Sequence, residues 1–145
     1  MIIATILARK GGKVVTIRPE QTLREALAML AQYSIGAVLV TDGRGMLAGI
    51  LSERDIVREA VRNEKFFDLA VSKIMTSNVI SGQPQDDVSA VATTMTNKRF
   101  RHLPVLDGGK VVGVVSLGDI VKAQRDEYLG AIDTLETQII GERAS

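Results

Sequence analysis

Two pairs of side chains in this sequence set a hydroxyl and a carboxylate at the same spacing, Ser52 with Asp55 and Ser116 with Asp119. Each pair sits in one frame, glycine, two apolar residues, Ser-x-x-Asp, then two more apolar residues. The copies are Gly49-Ile-Leu-Ser52-Glu-Arg-Asp55-Ile-Val57 and Gly113-Val-Val-Ser116-Leu-Gly-Asp119-Ile-Val121, 64 positions apart. A serine three residues before an acid, ahead of an apolar run, is first of all a capping box. The hydroxyl accepts a first-turn amide, and the carboxylate reaches back while favouring the positive helix end. The same helix start, with free amides, a hydroxyl and an acid, also suits a phosphorylated or sugar-bearing ligand. Duplication strengthens the ligand reading, although a duplicated cap is still a cap.

Asn97-Lys-Arg-Phe-Arg-His102 is the other concentration of chemistry, a basic cluster with one aromatic. With 18 Lys and Arg against 17 Asp and Glu, the chain lacks the extended basic face that nucleic acid demands, so phosphate capture from a small ligand is the better role. His102 is the single histidine and there is no cysteine, which removes thiol catalysis and the usual zinc sites. Gly-x-Ser-x-Gly is absent around Ser116, and Gly11-Gly12-Lys13 lacks the framing of a phosphate loop. The residues therefore predict a binding protein and not an enzyme.

Strands and helices must aim these pairs. Thr22 predicts a capped helix with Leu23, Ala26, Leu27 and Leu30 on one face, and Ile35–Thr41 a buried strand. After the turn Asp42–Gly45, Met46–Leu51 returns as its partner, and Ser52 opens a helix with Ile56, Val57, Ala60 and Val61 expected inward. With a short strand over Lys13–Ile17, the order is β-α-β-β-α. Beyond 63–73 the pattern restarts. Val79-Ile80 is the short strand, Val88, Val91, Ala92 and Met95 the helical stripe, and Leu103–Leu106 and Lys110–Val115 a hairpin across Asp107-Gly108-Gly109. Ser116 opens the closing helix.

Outside the repeat, Met1–Lys10 predicts a helix with Ile2, Ile3, Ile6 and Leu7 on one face, stopped at Gly11-Gly12. Gln124–Ile140 carries Tyr128, Ile132, Leu135 and Ile139 at helical spacing, a stripe that suggests packing against the amino-terminal helix or a second subunit. The expected divisions are 1–12, 13–62, 63–73, 74–124 and 125–145. A unit of about 60 residues is marginal alone, so the two should share one core across a pseudo-twofold axis, with the helix starts lining paired clefts. No apolar run approaches the roughly 20 residues of a membrane span and no signal-peptide pattern is present, so a cytoplasmic location is expected.

The doubled unit, with Arg101-His102-Leu103-Pro104-Val105 and the hairpin Asp107-Gly-Gly-Lys110-Val-Val-Gly113, resembles a cystathionine β-synthase (CBS) domain pair, or Bateman module. Ile35-Gly36-Ala37-Val38-Leu39-Val40 takes the corresponding place in the first unit, and Ile139-Ile-Gly-Glu-Arg143 resembles the ending of bacterial stand-alone proteins of this kind. The resemblance implies an α/β fold of tandem β-α-β-β-α repeats with pseudo-twofold symmetry and sheets packed face to face, plus N- and C-terminal helices. It implies a regulatory module with no catalytic cofactor that binds an adenosine ligand: AMP, ADP or ATP, with NAD(H) as a further candidate. Carried over, Ser116 and Asp119 hold one ribose, Arg101 and His102 its phosphate, and Val14, Val15, Ile35 and Gly36 its base. Ser52, Arg54 and Asp55 form the second site, with base contacts from Met75, Asn78, Val79 and Ile80. Arg101-His102 lies near the axis and could serve either cleft. Arg54 aligns with Gly118 and Ile35-Gly36 with Arg101-His102, so the clefts should differ in charge and affinity. A homodimer through the helices and a separate downstream protein are the implied partners. The alternatives are a structural or assembly subunit with vestigial clefts and, behind it, a nucleic-acid-binding module.

Overall fold

The computed structural model describes residues 1–11 and 14–144, and in them an N-terminal helix α1 (Ile3–Lys10) precedes two similar α/β units. The first unit runs β1 (Thr16–Ile17), α2 (Leu23–Tyr33), β2 (Ala37–Thr41), β3 (Leu47–Ser52) and α3 (Glu53–Arg62). Its sheet has the order β1-β2-β3, with β1 parallel and β3 antiparallel to β2. A 3-10 turn (Phe66–Asp68) and a short helix α4 (Val71–Ile74) lead into the second unit, α5 (Val88–Lys98), β4 (His102–Asp107), β5 (Lys110–Ser116) and α6 (Leu117–Ala144). Lys13, expected to begin the first strand, lies outside the described residues.

The duplication extends to local detail. Thr22 Oγ1 accepts the Glu25 amide at 3.2 Å at the start of α2, and Asp87 Oδ2 accepts the Ala90 amide at 3.0 Å at the start of α5. Both hairpins shift register at matching places, between Val40 and Thr41 and between Val105 and Leu106. Gly108 and Gly109, at φ 59° and 81°, make the tight two-residue turn that the sequence predicts.

One strand is missing from the second copy. Val79-Ile80 is not a strand; instead Gly82 alone pairs with Val105, its amide donating to Pro104 O at 2.8 Å and its carbonyl accepting from Leu106 N at 2.8 Å. Asp86 Oδ2 accepts the Gln83 amide at 2.8 Å, so the next residue is already drawn into a turn before a second pair can form.

Instead of the single shared core expected, the buried residues form two clusters, and the units trade pieces to complete them. Val71 of α4 is fully buried with Leu23, Leu51 and Ile56 of the first unit, whereas Ile3 and Ile6 of α1 are buried with Val88, Val115 and Ile120 of the second. Matching bridges tie the two visitors down, Ala70 with Thr22 and Ile2 with Asp87. The motif glycines admit these visitors. A Cβ at Gly49 would lie 2.7 Å from Thr76 O and 2.8 Å from Met75 Sδ, and one at Gly113 would lie 2.6 Å from Leu7 Cδ2.

Two apolar stripes depart from expectation, and a third is left uncovered within one chain. Ile2 caps α1 in an extended conformation and is partly exposed instead of joining its buried face. In α3 only Ile56 is buried; Val57 and Val61 are 62% and 83% exposed, because one stripe of the helix rests on the unit and these two lie off it. The boundary expected at 124/125 falls inside α6, a single helix of 28 residues. Past Ala123 none of its described residues is buried, and Tyr128, Leu135 and Ile139 are exposed, since α1 reaches only its first turns.

Candidate functional site

Both Ser-x-x-Asp pairs are capping boxes. Ser52 Oγ accepts the Asp55 amide at 3.3 Å, and Asp55 Oδ2 accepts the Ser52 amide and hydroxyl at 3.0 Å each. Ser116 Oγ accepts the Asp119 amide at 3.1 Å, and Asp119 Oδ2 accepts the Ser116 amide at 2.8 Å. In each box the cap uses only Oδ2. The Oδ1 of both acids accepts no hydrogen bond from the described residues, and both acids border a cleft.

The cleft at Ser116 and Asp119 measures about 430 Å³ and that at Ser52 and Asp55 about 600 Å³. Both volumes fall in the range of about 300–1,000 Å³ typical of small-molecule sites. The first is walled by Val14, Val15, Ile35 and Gly36 of the other unit, as the sequence predicts. The second gathers Arg54, Asn78, Val79 and Ile80, again as predicted. Each also holds the residue that ends the preceding helix in the left-handed region, Ser34 (φ 52°) in the first and Arg99 (φ 59°) in the second. Among the described residues these are the only non-glycine positive φ angles, a costly conformation that tends to collect at functional sites.

The pair that could serve either cleft is divided unequally, and one predicted contact falls elsewhere. Arg101 borders the Ser52/Asp55 cleft and not the Ser116/Asp119 one, whereas His102 borders both, its ring 3.8 Å from where a Gly36 Cβ would lie. Successive residues entering a strand point to opposite sides, so the pair divides. Met75 is outside both clefts, packed into the notch at Gly49 and against the first core, and Thr76 borders the cleft in its place.

Other groups were not assigned to a cleft from sequence. Lys98 and Arg99, part of the basic cluster, face the Ser52/Asp55 cleft with Arg54 and Arg101. Lys10, from the last turn of α1, enters the other cleft and donates to Asp119 Oδ2 at 2.8 Å and to Val114 O at 2.9 Å. Nothing near Lys10 in the sequence signals a partner 109 positions away. Burial pushes the Asp119 carboxyl up, but the bonds from Lys10 and the Ser116 amide outweigh it and hold the acid below its ordinary range. His102 is held below the ordinary imidazole value, first by burial and then by the charge of Lys10, so it faces both clefts as a neutral ring near pH 7.

Among the described residues no cluster of three or more His, Cys, Asp or Glu could hold a metal ion, and no helix is long and apolar enough to cross a membrane. The family described as "CBS domain" matches residues 6–62 and 71–126. The CBS-domain containing protein ATU1752 from Agrobacterium tumefaciens is 38% identical, with a TM-score of 0.81 over 86% of this chain and 99% of that one. The CBS domain-containing protein YhcV of Bacillus subtilis is 32% identical over 112 residues, 77% of this chain and 79% of that protein. The CBS domain protein PAE2072 from Pyrobaculum aerophilum, solved with AMP, is 26% identical with a TM-score of 0.75 over 82% of this chain and 89% of its own.

Proposed function

The chain belongs to the CBS domain family as a tandem pair, and from that premise we propose that it is a regulatory sensor of adenosine nucleotides. The observation that carries this reading is that each motif acid borders a cleft and keeps an Oδ1 that accepts no hydrogen bond from the described residues, while its sister oxygen fixes the helix start. A carboxylate held rigid in this way can accept from the adjacent hydroxyls of a ribose, a charge-assisted bond stronger than a neutral one. Branched residues offer flat apolar walls for a base, Val14, Val15 and Ile35 in one cleft and Val79 and Ile80 in the other. A relative solved in complex with AMP supports an adenosine ligand here.

AMP, ADP and ATP are the first candidates, and NAD(H) is the dinucleotide to test. In this reading the module is not a catalyst. The bound ligand is expected to leave unchanged. Occupancy biases how the units and α6 are oriented, and a separate protein in the cytoplasm reads the bias. Two copies pair through α3 and α6, where Val57 and its counterpart Val121 are both exposed.

Calorimetry against adenine nucleotides and dinucleotides tests the proposal, with Asp55→Asn and Asp119→Asn each expected to remove one site. A ligand at 100 times its dissociation constant should stabilise the fold by about 2.7 kcal/mol. No heat and no shift in melting temperature at millimolar nucleotide would reveal an assembly subunit with vestigial clefts, and consumption of the ligand would reveal an enzyme.

A further inference from the structure

The two clefts are unequal in charge. Among the described residues around the Ser52/Asp55 cleft, Arg54, Lys98, Arg99 and Arg101 face only Glu53 and Asp55 in opposition, an excess of two positive charges. Among the described residues around the other cleft Lys10 and Asp119 cancel, and the rest, with the neutral His102, carry no charge. The visiting segments set part of this difference. Three residues beyond Leu7, which fills the Gly113 notch, α1 brings the ammonium of Lys10, and three beyond Met75 in the Gly49 notch the connector brings the uncharged amide of Asn78.

Resting on the adenosine-nucleotide reading above, we propose that Lys10 determines the specificity of the Ser116/Asp119 cleft. Pinned between Asp119 and the Val114 carbonyl, it turns an otherwise acidic cleft neutral and offers its remaining N–H to a single phosphate group. An ammonium has three donors, and two are already engaged by the protein. Its third, in a cleft whose lining among the described residues carries no other cation, meets one phosphate but does not compensate a chain of them. This cleft therefore takes a nucleoside monophosphate, and the cationic cleft takes the di- and triphosphates. The division follows from the chain's own charges and not from the shared motif, which is the same on both sides.

Calorimetry with adenosine, AMP and ATP, in an Asp55→Asn background so that only the Ser116/Asp119 cleft binds, tests the assignment. The asparagine keeps an acceptor for the helix cap. Lys10→Met should weaken AMP about tenfold, the worth of one charge-assisted hydrogen bond, while adenosine changes by less than about twofold. Lys10→Arg should restore AMP binding, and AMP should exceed ATP in the unsubstituted background. Equal weakening of adenosine and AMP would show that Lys10 only supports the cleft wall, and tighter AMP binding by Lys10→Met would show it to be a plug. Either result, or no change at all, overturns the assignment while leaving the adenosine reading intact. Failure of the background protein to bind either AMP or adenosine overturns both.

Discussion

Replacing the two motif glycines by alanine should have unequal consequences, although both positions are too tight for a Cβ. At Gly49 the new carbon would lie 2.7 Å from Thr76 O, a backbone atom, whereas at Gly113 it would meet Leu7 Cδ2 at 2.6 Å, the far end of a side chain. Thr76 cannot retreat freely. Its carbonyl accepts from Ile50 N at 3.0 Å and its amide donates to Ile50 O at 2.9 Å, one residue from the substitution. Losing that pair costs about 1 kcal/mol per bond. Overpacking adds about 1–3 kcal/mol, and alanine recovers about 0.4–1 kcal/mol by restricting the unfolded chain. Gly49→Ala should therefore cost about 3 kcal/mol net, and Gly113→Ala, which spares the backbone pair, about 1–2 kcal/mol. Against a total stability of about 5–15 kcal/mol, urea unfolding resolves both. Leu7→Ala combined with Gly113→Ala should lose less than the two single variants added together, because the clash has been removed. Equal losses at the two glycines, or strict additivity with Leu7→Ala, would refute the argument that the visiting segments require these glycines.

Further predictions rest on the same geometry. Ser52→Ala removes the side-chain acceptor at the start of α3 and should lower stability by about 1 kcal/mol in urea unfolding. His102 binds its proton less readily in the fold than in the unfolded chain, so the stability it contributes is complete above pH of about 6.5 and falls as pH drops through the lowered folded value. Melting temperatures recorded from pH 8 to 5 should fall less for His102→Gln than for the natural chain; Asp119, a depressed acid, contributes a constant stability across this window and loses it only as pH falls from its ordinary 3.8 through the lowered folded value. Val57→Asp with Val121→Asp should convert a dimer to a monomer in sedimentation while the far-ultraviolet circular dichroism is kept, and an unchanged mass would place the dimer contact elsewhere.

What could be read in the sequence was what the chain decides locally. Caps at Thr22, Ser52 and Ser116 and the two-glycine hairpin depend on neighbours a few residues away, and each is present. The apolar walls at Val14, Val15, Ile35, Val79 and Ile80 came from the resemblance to a CBS pair and not from any local pattern, and these residues do border the clefts. What escaped depends on distant partners. Met75 is apolar for the notch at Gly49 and not for a base, and hydrophobicity alone does not separate those uses. Val57 and Val61 share the spacing of buried residues, but a helix with apolar groups on more than one stripe does not announce which stripe is covered. Lys10 reaches Asp119 only because α1 serves the second unit, an exchange that no local pattern encodes.

That exchange has a consequence for synthesis. Ile3 and Ile6 leave the ribosome well before the residues that cover them, Val88, Val115 and Ile120. The first unit, in contrast, is complete once Val71 has emerged. A nascent chain thus waits with a greasy, uncovered α1 beside an assembled first unit until the second unit arrives to close over it.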